Sequence, residues 1–222
     1  MPVLNKKELE RWVADAVDLL DRLLLPESES DPNRPTAAVN SFFISQAKGL
    51  IFTWSISGGV GVGVRSGRGF AIAKVDGNRW SAPCFVNVGA LAIGALAGVE
   101  KVDTLLVAET EKAIVNLSFG QECVVGKEVS HVVIPGVAKA KSRLDLSDAV
   151  SKGNDLYSIS FSQGLTVNFS FAGGALTVDD DKNKAMFGEG TTGRTTLSGL
   201  DPTPDELAPL VAKINDIVAR GK

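Results

Sequence analysis

The stretch LIFTWSISGGVGVGVRSGRGFAIAKV, residues 50–75, alternates larger apolar side chains with small or polar ones, a period of two that is typical of β-strands. Glycines within it mark bends and close backbone approaches, and the pattern predicts two or three strands; they are Gly58, Gly59, Gly61, Gly63, Gly67 and Gly69. The dipeptide Asp76-Gly77 is typical of a hairpin turn that leads into the Trp80 segment. We therefore expect a Gly-rich, mainly antiparallel sheet or a partly closed barrel.

A later segment repeats part of this pattern. KGLIFTWSISGG, residues 48–59, aligns with QGLTVNFSFAGG, residues 163–174, at one fixed offset. Both segments begin near a Gly-Leu pair and end in Gly-Gly, which predicts an internal repeat of two equivalent long strands. Chance similarity between Gly-rich strands is the alternative.

Helices are expected on both sides of this sheet. Asn5 caps the first helix, whose apolar stripe comprises Leu9, Trp12, Val13, Ala16, Val17, Leu20, Leu23 and Leu24. The C-terminal helix begins with Thr203 as its cap, Pro204 in its first turn and Glu206 as the capping-box acid. The fold class is therefore α+β, with flanking N- and C-terminal helices.

Shorter elements fill the middle of the chain. A helix is predicted from Thr36 to about Ala47, where Gly49 offers a left-handed stop, and another from a cap at Thr110 to about Phe119. Further strands are predicted at residues 103–108, 129–133 and within 157–178.

Length and composition indicate one globular domain. The 222 residues carry a net charge of −3, which argues against bulk nucleic-acid binding. We expect a single unit, with a helix and a Pro-rich connector at 1–35, a sheet-rich core at 36–200 and a helix at 201–222. Two cysteines, Cys84 and Cys123, predict buried thiols, and the charged N-terminus predicts an intracellular protein.

The ordered motifs resemble those of the SYLF domain family over about residues 38–190. They are AKGL (47–50), RSGRGFAIAK (65–74), DGNRWSAP (76–83), the spaced glycines Gly89, Gly94 and Gly98, and YSISFSQGL (157–165). The resemblance implies a lipid-binding module that recognises phosphoinositides at membranes, peripherally bound in the cytoplasm, and in some members binds actin or its regulators. One lysine of the family pattern is absent, since Ser57 precedes Gly58-Gly59 here.

A local basic cluster is the main candidate anion site. Five cations face a single acid, Asp76, in this part of an acidic chain: Lys48, Arg65, Arg68, Lys74 and Arg79. Arg65 and Arg68 flank Ser66-Gly67, where a turn would place guanidinium groups beside exposed backbone N–H groups and bind a phosphate. A solvated hairpin with scattered surface charge is the alternative. A second basic cluster, Lys139, Lys141 and Arg143, would support contact with anionic membranes.

The residues give little support for catalysis or for a cofactor. His131 is the only histidine and lies in an alternating strand pattern, so the sequence predicts neither an enzyme nor a metal site. Asp179, Asp180, Asp181 and Asn183 are interpreted as a polar hairpin turn instead of a calcium loop. Trp54, Trp80 and Phe85 are expected in the core, with membrane anchoring as the alternative.

Three functional hypotheses remain open. The first is a module for anionic phosphoinositide membranes. The second is a protein-interaction scaffold linked to actin or its regulators, using a sheet edge or the first helix. The third is a closed apolar cavity that holds a lipid tail.

Overall fold

The structure is a computed structural model, which describes residues 6–23, 41–76, 79–118, 123–125, 129–135, 156–167 and 174–220. Its helices are α1 (Lys6–Leu23), α2 (Ser41–Gln46), α3 (Glu111–Ser118), α4 (Asp180–Phe187), α5 (Gly193–Leu197) and α6 (Ala208–Arg220), the last preceded by a 3₁₀ turn at Asp205–Leu207. Its strands are β1 (Gly49–Val75), β2 (Arg79–Trp80), β3 (Cys84–Ala108), β4 (Cys123–Val125), β5 (Val129–Pro135), β6 (Leu156–Val167) and β7 (Gly174–Val178).

The described strands form one sheet in the order β2-β1-β3-β6-β5, with β7 pairing to β3 and β4. Every pairing is antiparallel except that of β5 with β6. The prediction of an α+β fold with a mainly antiparallel sheet and flanking helices is confirmed. Of the two alternatives, the described strands form the sheet and do not close into a barrel.

The paired strands β1 and β3 are unusually long, and β1 bends back on itself. Residues 49–60 of β1 pair with residues 97–108 of β3, whereas residues 62–71 pair with residues 84–93, with a register shift between Val60 and Val62. The bend brings the two ends of β1 together, where the Lys74 amide donates to the Lys48 carbonyl at 2.8 Å. The prediction of two or three strands in this stretch is therefore wrong, because one strand bends without losing its pairing to β3.

Two glycines allow the halves of β1 to touch. A Cβ atom at Gly67 would lie 2.5 Å from the Trp54 carbonyl oxygen, and one at Gly69 would lie 2.0 Å from the Phe52 carbonyl oxygen. Both distances are far below van der Waals contact. Only glycine fits at these two positions, where one backbone segment crosses another closely.

Helices cover both faces of the sheet. One face carries α1 and α6, whose apolar side chains pack with Leu50, Phe52, Phe70 and Ile72 of β1. On the other face, α3 and α5 pack with Ile51, Ala71 and Ala73. Even-numbered and odd-numbered residues of β1 thus point to opposite cores, as strand geometry requires. Trp80 and Phe85 are buried and Trp54 is half-buried, which confirms the expectation of core aromatics.

Several helix predictions are confirmed in position but differ at their ends. α1 buries most of the predicted stripe, although Val17 is only partly buried and Leu24 lies outside the described residues. Thr110 caps α3 by accepting from the Ala113 amide at 3.2 Å. Gly49 is the first residue of β1 and not a helix stop. Thr203 does not cap the C-terminal helix, because its hydroxyl donates to the Trp80 carbonyl at 3.2 Å.

The acidic run near the C-terminus forms a helix and not a hairpin turn. Asp179 is the N-cap of α4 and accepts a hydrogen bond from the Lys182 amide. Asn183 is buried within α4 and bonds to the backbone of Phe85. The acids lie at the positive end of the helix dipole and stabilise the first helical turn.

The first segment of the proposed repeat and the described start of the second, residues 163–167, lie on strands that border β3 on opposite sides. Gly49 begins β1, but Gly164 lies well inside β6, which begins at Leu156. Gly-Leu as a strand start is therefore wrong for the second segment, since β6 extends further toward the N-terminus. Duplication of a β unit stays a prediction.

The other predicted strands are confirmed, because residues 103–108 lie in β3 and 129–133 in β5, and the stretch 157–178 contributes to β6 and β7. Residues 168–173 of that stretch lie outside the described residues. The proposed caps Asn5 and Thr36 and the connector at 26–35 lie outside the described residues. No helix in the described ranges has the length and apolarity that a membrane span needs.

Candidate functional site

The five cations predicted to form one anion site do not lie together. Arg65 and Arg68 flank no turn, because Ser66 and Gly67 are extended residues of β1 that pair with Gly89 and Val88 of β3. Their separation by three residues places the two guanidinium groups on opposite faces of the strand. The predicted turn, with two arginines beside exposed backbone amides, is therefore wrong. Ser66 and Gly67 are paired with β3, and the two arginine side chains point to opposite faces of the strand.

Arg65 points into a polar environment between the halves of β1. Its Nε donates to the Ser57 hydroxyl at 2.8 Å, and Ser57 is fully buried. Burial lowers the pKa of the Arg65 guanidinium to about 10, and the carboxylate of Glu100 acts in the opposite direction. Burial also raises the pKa of Glu100, while Arg65 opposes that rise. Arg65 is thus a half-buried, internally bonded cation instead of an open ligand group.

Lys48 and Lys74 lie away from Arg65, at the end of the sheet beside α2. Their backbones are hydrogen-bonded, and the Lys74 ammonium donates to the Ser45 carbonyl of α2 at 3.2 Å. Lys48 is exposed. Arg79 is also exposed, but it pairs opposite Val75 on the other face, where its guanidinium lies near Gly199. The predicted secondary cluster, Lys139, Lys141 and Arg143, lies outside the described residues.

Arg68 lines a cleft between α1 and β1. The cleft has a volume of about 360 Å³, and its walls are Lys7, Glu8, Arg11, Trp12, Asp15, Trp54 and Arg68. Trp54 and Arg68 come from the two halves of β1, which the bend of the strand brings together. The remaining five residues come from the N-terminal half of α1.

Trp12 holds the floor of the cleft in place. Its ring lies 6.0 Å from the Trp54 ring and 5.4 Å from the Phe85 ring, in an edge-on contact with the latter. Two cations lie over the same indole, with the Arg68 Cζ atom 5.5 Å and the Lys182 Nζ atom 4.7 Å from its centroid. Such contacts hold a cation near an aromatic face without neutralising its charge.

The cations of the cleft have charge available for a ligand. Within the described part of the chain, Lys7, Arg11 and Arg68 form no salt bridge. At the other end of α1, Arg22 pairs with Asp103, and Asp21 pairs with Lys213 of α6. Glu8 and Asp15 add two acids to the same cleft. Mixed charge around an aromatic floor is suited to a charged and partly apolar ligand, such as a peptide segment.

The sequence interpretation missed the α1 side of this cleft. Lys7, Arg11 and Asp15 recur at intervals of four, which places them on one side of a helix, and that signal was readable from the sequence. Their partners Trp54 and Arg68 lie at least 39 positions away along the chain. Only the docking of α1 on the bent strand brings the two sets together.

Comparison with known proteins identifies a family model that matches residues 89–217, more than half of the chain. The model is named Ysc84 and is described as "Las17-binding protein actin regulator". The matched residues include most of β3 and run to the last turns of α6.

Individual proteins match over a larger part of the chain. Protein YSC84 of Saccharomyces cerevisiae is 25% identical over 77% of this chain and 36% of its own length. SH3 domain-containing YSC84-like protein 1 of Xenopus laevis is 26% identical over 72% of this chain and 47% of its own length. LAS seventeen-binding protein 3 of Saccharomyces cerevisiae is 25% identical over 75% of this chain and 36% of its own length. The chain thus spans less than half the length of these relatives.

Proposed function

The chain belongs to the Ysc84 (SYLF) family of Las17-binding actin regulators, and on that premise we propose that it is a non-catalytic protein-interaction module of the actin-regulatory machinery. The family match is the observation that carries the proposal. The name of one relative supports it, since that relative is a LAS seventeen-binding protein. Because the chain spans less than half of these relatives, partners of the whole relatives come to this chain only as part of the proposal.

The α1/β1 cleft is the proposed contact surface for the protein partner. It combines Trp54 and Arg68, residue types that contribute strongly to binding energy at protein interfaces. Lys7 and Arg11 add charge that would speed association with an acidic partner segment. A segment with acidic and aromatic or aliphatic side chains fits these walls better than a purely anionic one, because Glu8 and Asp15 would repel the latter.

Two binding assays test this proposal with one variant and one control. The chain is sedimented with actin filaments and, separately, is used to capture purified Las17. Arg68→Glu reverses one charge in the cleft, and Lys112→Glu reverses an exposed charge on α3, which packs on the opposite face of the sheet. We expect Arg68→Glu to weaken binding about tenfold or more, as removal of an interface arginine does.

The control defines how the result is interpreted. Retained binding of Lys112→Glu together with loss for Arg68→Glu supports the cleft as the contact. Equal loss for both variants would indicate a general charge effect and contradict the cleft. No binding of the unmodified chain to actin filaments or to Las17 would overturn the proposal as a whole.

A second candidate function is binding to anionic phosphoinositide membranes. The specific observation in its favour is that Arg68 and Lys74 lie on the same face of β1, with exposed Lys48 adjacent to Lys74. Six residues of strand separate Arg68 from Lys74, about 20 Å, so one headgroup cannot reach both. These cations would instead contact several headgroups of a charged surface.

Vesicle sedimentation tests the second candidate. Vesicles carrying single phosphoinositides are mixed with the chain at low and moderate salt, beside Lys48→Glu, Arg68→Glu and the control Lys112→Glu. We expect salt-sensitive binding that each reversal on the proposed face weakens and the control does not. Salt-independent binding, or binding unaffected by both reversals, would argue against these cations as headgroup ligands.

A further inference from the structure

The bend of β1 exposes a set of large apolar side chains that no described element covers. They are Ile56, Val60, Val62, Val64 and Val99, with exposed fractions of 61%, 84%, 58%, 52% and 64%. Soluble proteins expose single apolar residues routinely, but contiguous groups of them mark interaction sites. We call these five residues the apolar face.

The apolar face is contiguous because of the strand geometry. Ile56, Val60, Val62 and Val64 are all even-numbered residues of β1, so they point to the same side as Trp54 and Arg68 in the cleft. Val99 lies on the neighbouring strand, opposite Gly58. The face therefore begins one strand step beyond the cleft and extends to the bend.

The sequence around the bend contains no side chain that could bind water strongly. Residues 58–64 read GGVGVGV, and the part of β3 that pairs with them, within residues 90–99, reads ALAIGALAGV. Neither stretch includes a charged or hydrogen-bonding side chain. The five side chains of the apolar face are all aliphatic, and exposed aliphatic surface is unfavourable in water and favourable in an apolar medium.

Two exposed cations lie at the border of the face, Lys101 opposite Ile56 and Arg68 in the adjoining cleft. Glu100 and Asp103 are buried, and the Lys101 Nζ atom lies 3.8 Å from the Asp103 Oδ1 atom. The cleft adds one exposed acid, Asp15, beside Arg68. Asp103 is also neutralised by Arg22, whose Nη2 lies 2.9 Å from its Oδ2 atom. An apolar centre with a cationic border complements an anionic lipid surface, in which headgroup charge surrounds the acyl chains.

We propose that the apolar face inserts into the outer acyl region of an anionic phospholipid bilayer, with Lys101 and Arg68 contacting headgroups at its border. The inference rests on the second candidate function, membrane binding, and assigns the part of the chain that enters the membrane. It differs from the sequence interpretation, which assigned membrane contact to basic residues alone. The strand residues on both sides of Gly61 are paired with β3, so the bend presents mostly hydrogen-bonded backbone, as an apolar environment requires.

The experiment uses the full chain and vesicles of phosphatidylcholine with or without phosphatidylserine. The double variant Val60→Asp/Val62→Asp introduces charge at the two positions nearest the bend. Val115→Asp is the matched control, since Val115 is 47% exposed on α3 at the opposite face of the sheet. Circular dichroism confirms folding of each variant, which we expect to be unchanged because all three positions are exposed.

A fluorescence readout reports insertion directly. Val62→Cys is labelled with an environment-sensitive fluorophore in a Cys123→Ser background, where Cys84 is buried and does not react. We expect the fluorophore emission to shift to the blue on vesicle binding and to be quenched by lipids brominated on their acyl chains. We also expect the double variant to bind phosphatidylserine vesicles about tenfold less tightly than the unmodified chain, and Val115→Asp to bind as the unmodified chain does.

Each alternative gives a distinct outcome. If the unmodified chain and the double variant bind vesicles equally, headgroup binding stands and insertion is overturned. If the unmodified chain binds no vesicle, both the membrane function and the insertion fall. If the chain self-associates and the double variant is monomeric, or if the variant loses a protein partner and keeps lipid binding, the apolar face is a protein interface and the proposal is overturned.

Discussion

Glycine 69 is the residue whose replacement the structure forbids most clearly. A Cβ atom there would lie 2.0 Å from the Phe52 carbonyl oxygen, which belongs to a paired strand and cannot move freely. We expect Gly69→Ala to lower the free energy of unfolding by about 1–3 kcal/mol or more, the usual range for overpacking. Urea unfolding followed by tryptophan fluorescence measures the loss.

Gly89 supplies the matched control for this prediction. It lies in the adjacent strand β3, but a Cβ atom there would meet no atom within 4 Å. We expect Gly89→Ala to leave stability unchanged or slightly raised, because alanine restricts the unfolded chain. Similar losses for both variants would show that the close approach at Gly69 is not the cause.

Cys84 gives a prediction about pH. Burial raises the pKa of its thiol to about 12, and a hydrogen bond from Asn183 acts in the opposite direction. Only the thiolate reacts with disulfide reagents, so at pH 8 about one thiol in 10⁴ would be reactive even with free access. In a Cys123→Ser background we expect no reaction with Ellman's reagent in the folded protein and complete reaction in urea. Rapid reaction of the folded chain at pH 8 would contradict this burial.

Residue-level expectations succeeded where a residue type has one dominant preference. Trp80 and Phe85 are buried, and Thr110 caps its helix. They failed where a side chain has two plausible partners, since Thr203 bonds to the Trp80 carbonyl instead of capping its own helix. That partner lies 123 positions away, so local sequence could not identify it.

At the scale of elements, the Asn183 side chain makes two of the hydrogen bonds that attach α4 to the sheet. The Asn183 amide oxygen accepts from the Phe85 N–H at 2.8 Å, and its amide nitrogen donates to the Phe85 carbonyl at 3.2 Å. Asn183→Ala would leave the buried Phe85 N–H without a partner, whereas the Phe85 carbonyl would still accept from the Asp179 N–H at 2.9 Å. We expect a loss of about 1–3 kcal/mol in the free energy of unfolding, the usual cost of one unsatisfied buried group, measured by urea titration.

Lys184, the next residue, is the control that separates loss of the Asn183 hydrogen bonds from a general loss of helix stability in α4. Lys184→Ala removes a partly exposed side chain in the same helical turn and should change stability by about 0.5 kcal/mol or less. A loss for Lys184→Ala as large as that for Asn183→Ala would mean that helix propensity, and not the contact with Phe85, dominates.

The sheet shows where pattern reasoning about elements reaches its limit. The period of two in residues 50–75 predicted β structure correctly, and the glycines did mark a close approach. The predicted number of strands was wrong, because glycine permits both a turn that ends a strand and a bend within a continuous strand. Pairing with β3 across the bend decides between them, and that pairing is non-local.

At the scale of the whole molecule, the sequence predicted the family and the β1 contribution to the cleft but not the cleft itself. Arg68 was named as a ligand residue, but its expected companion Arg65 points to the opposite face and bonds to Ser57. The companions that the structure supplies, Lys7 and Arg11, come from α1. Long-range docking of α1 through Trp12 creates this site, so a local basic cluster could not reveal it.

The two proposed binding surfaces lie too close for simultaneous use. Trp54 of the cleft and Ile56 of the apolar face are two residues apart on one strand face, about 6.6 Å, whereas a typical protein interface buries about 800 Å² on each partner. We therefore expect membrane binding and partner binding to compete. Phosphatidylserine vesicles should displace Las17 or actin filaments from the chain in proportion to the vesicle-bound fraction.

The apolar-face variant tests whether this competition comes from overlap of the two surfaces. Val60→Asp/Val62→Asp should bind the protein partner normally while vesicles no longer displace it, because the variant cannot enter the bilayer. Fluorescence anisotropy of a labelled partner measures both affinities in one titration. A stable complex of chain, partner and vesicle would contradict the overlap and would place the partner on another surface, with the module linking membrane to actin machinery instead of switching between them.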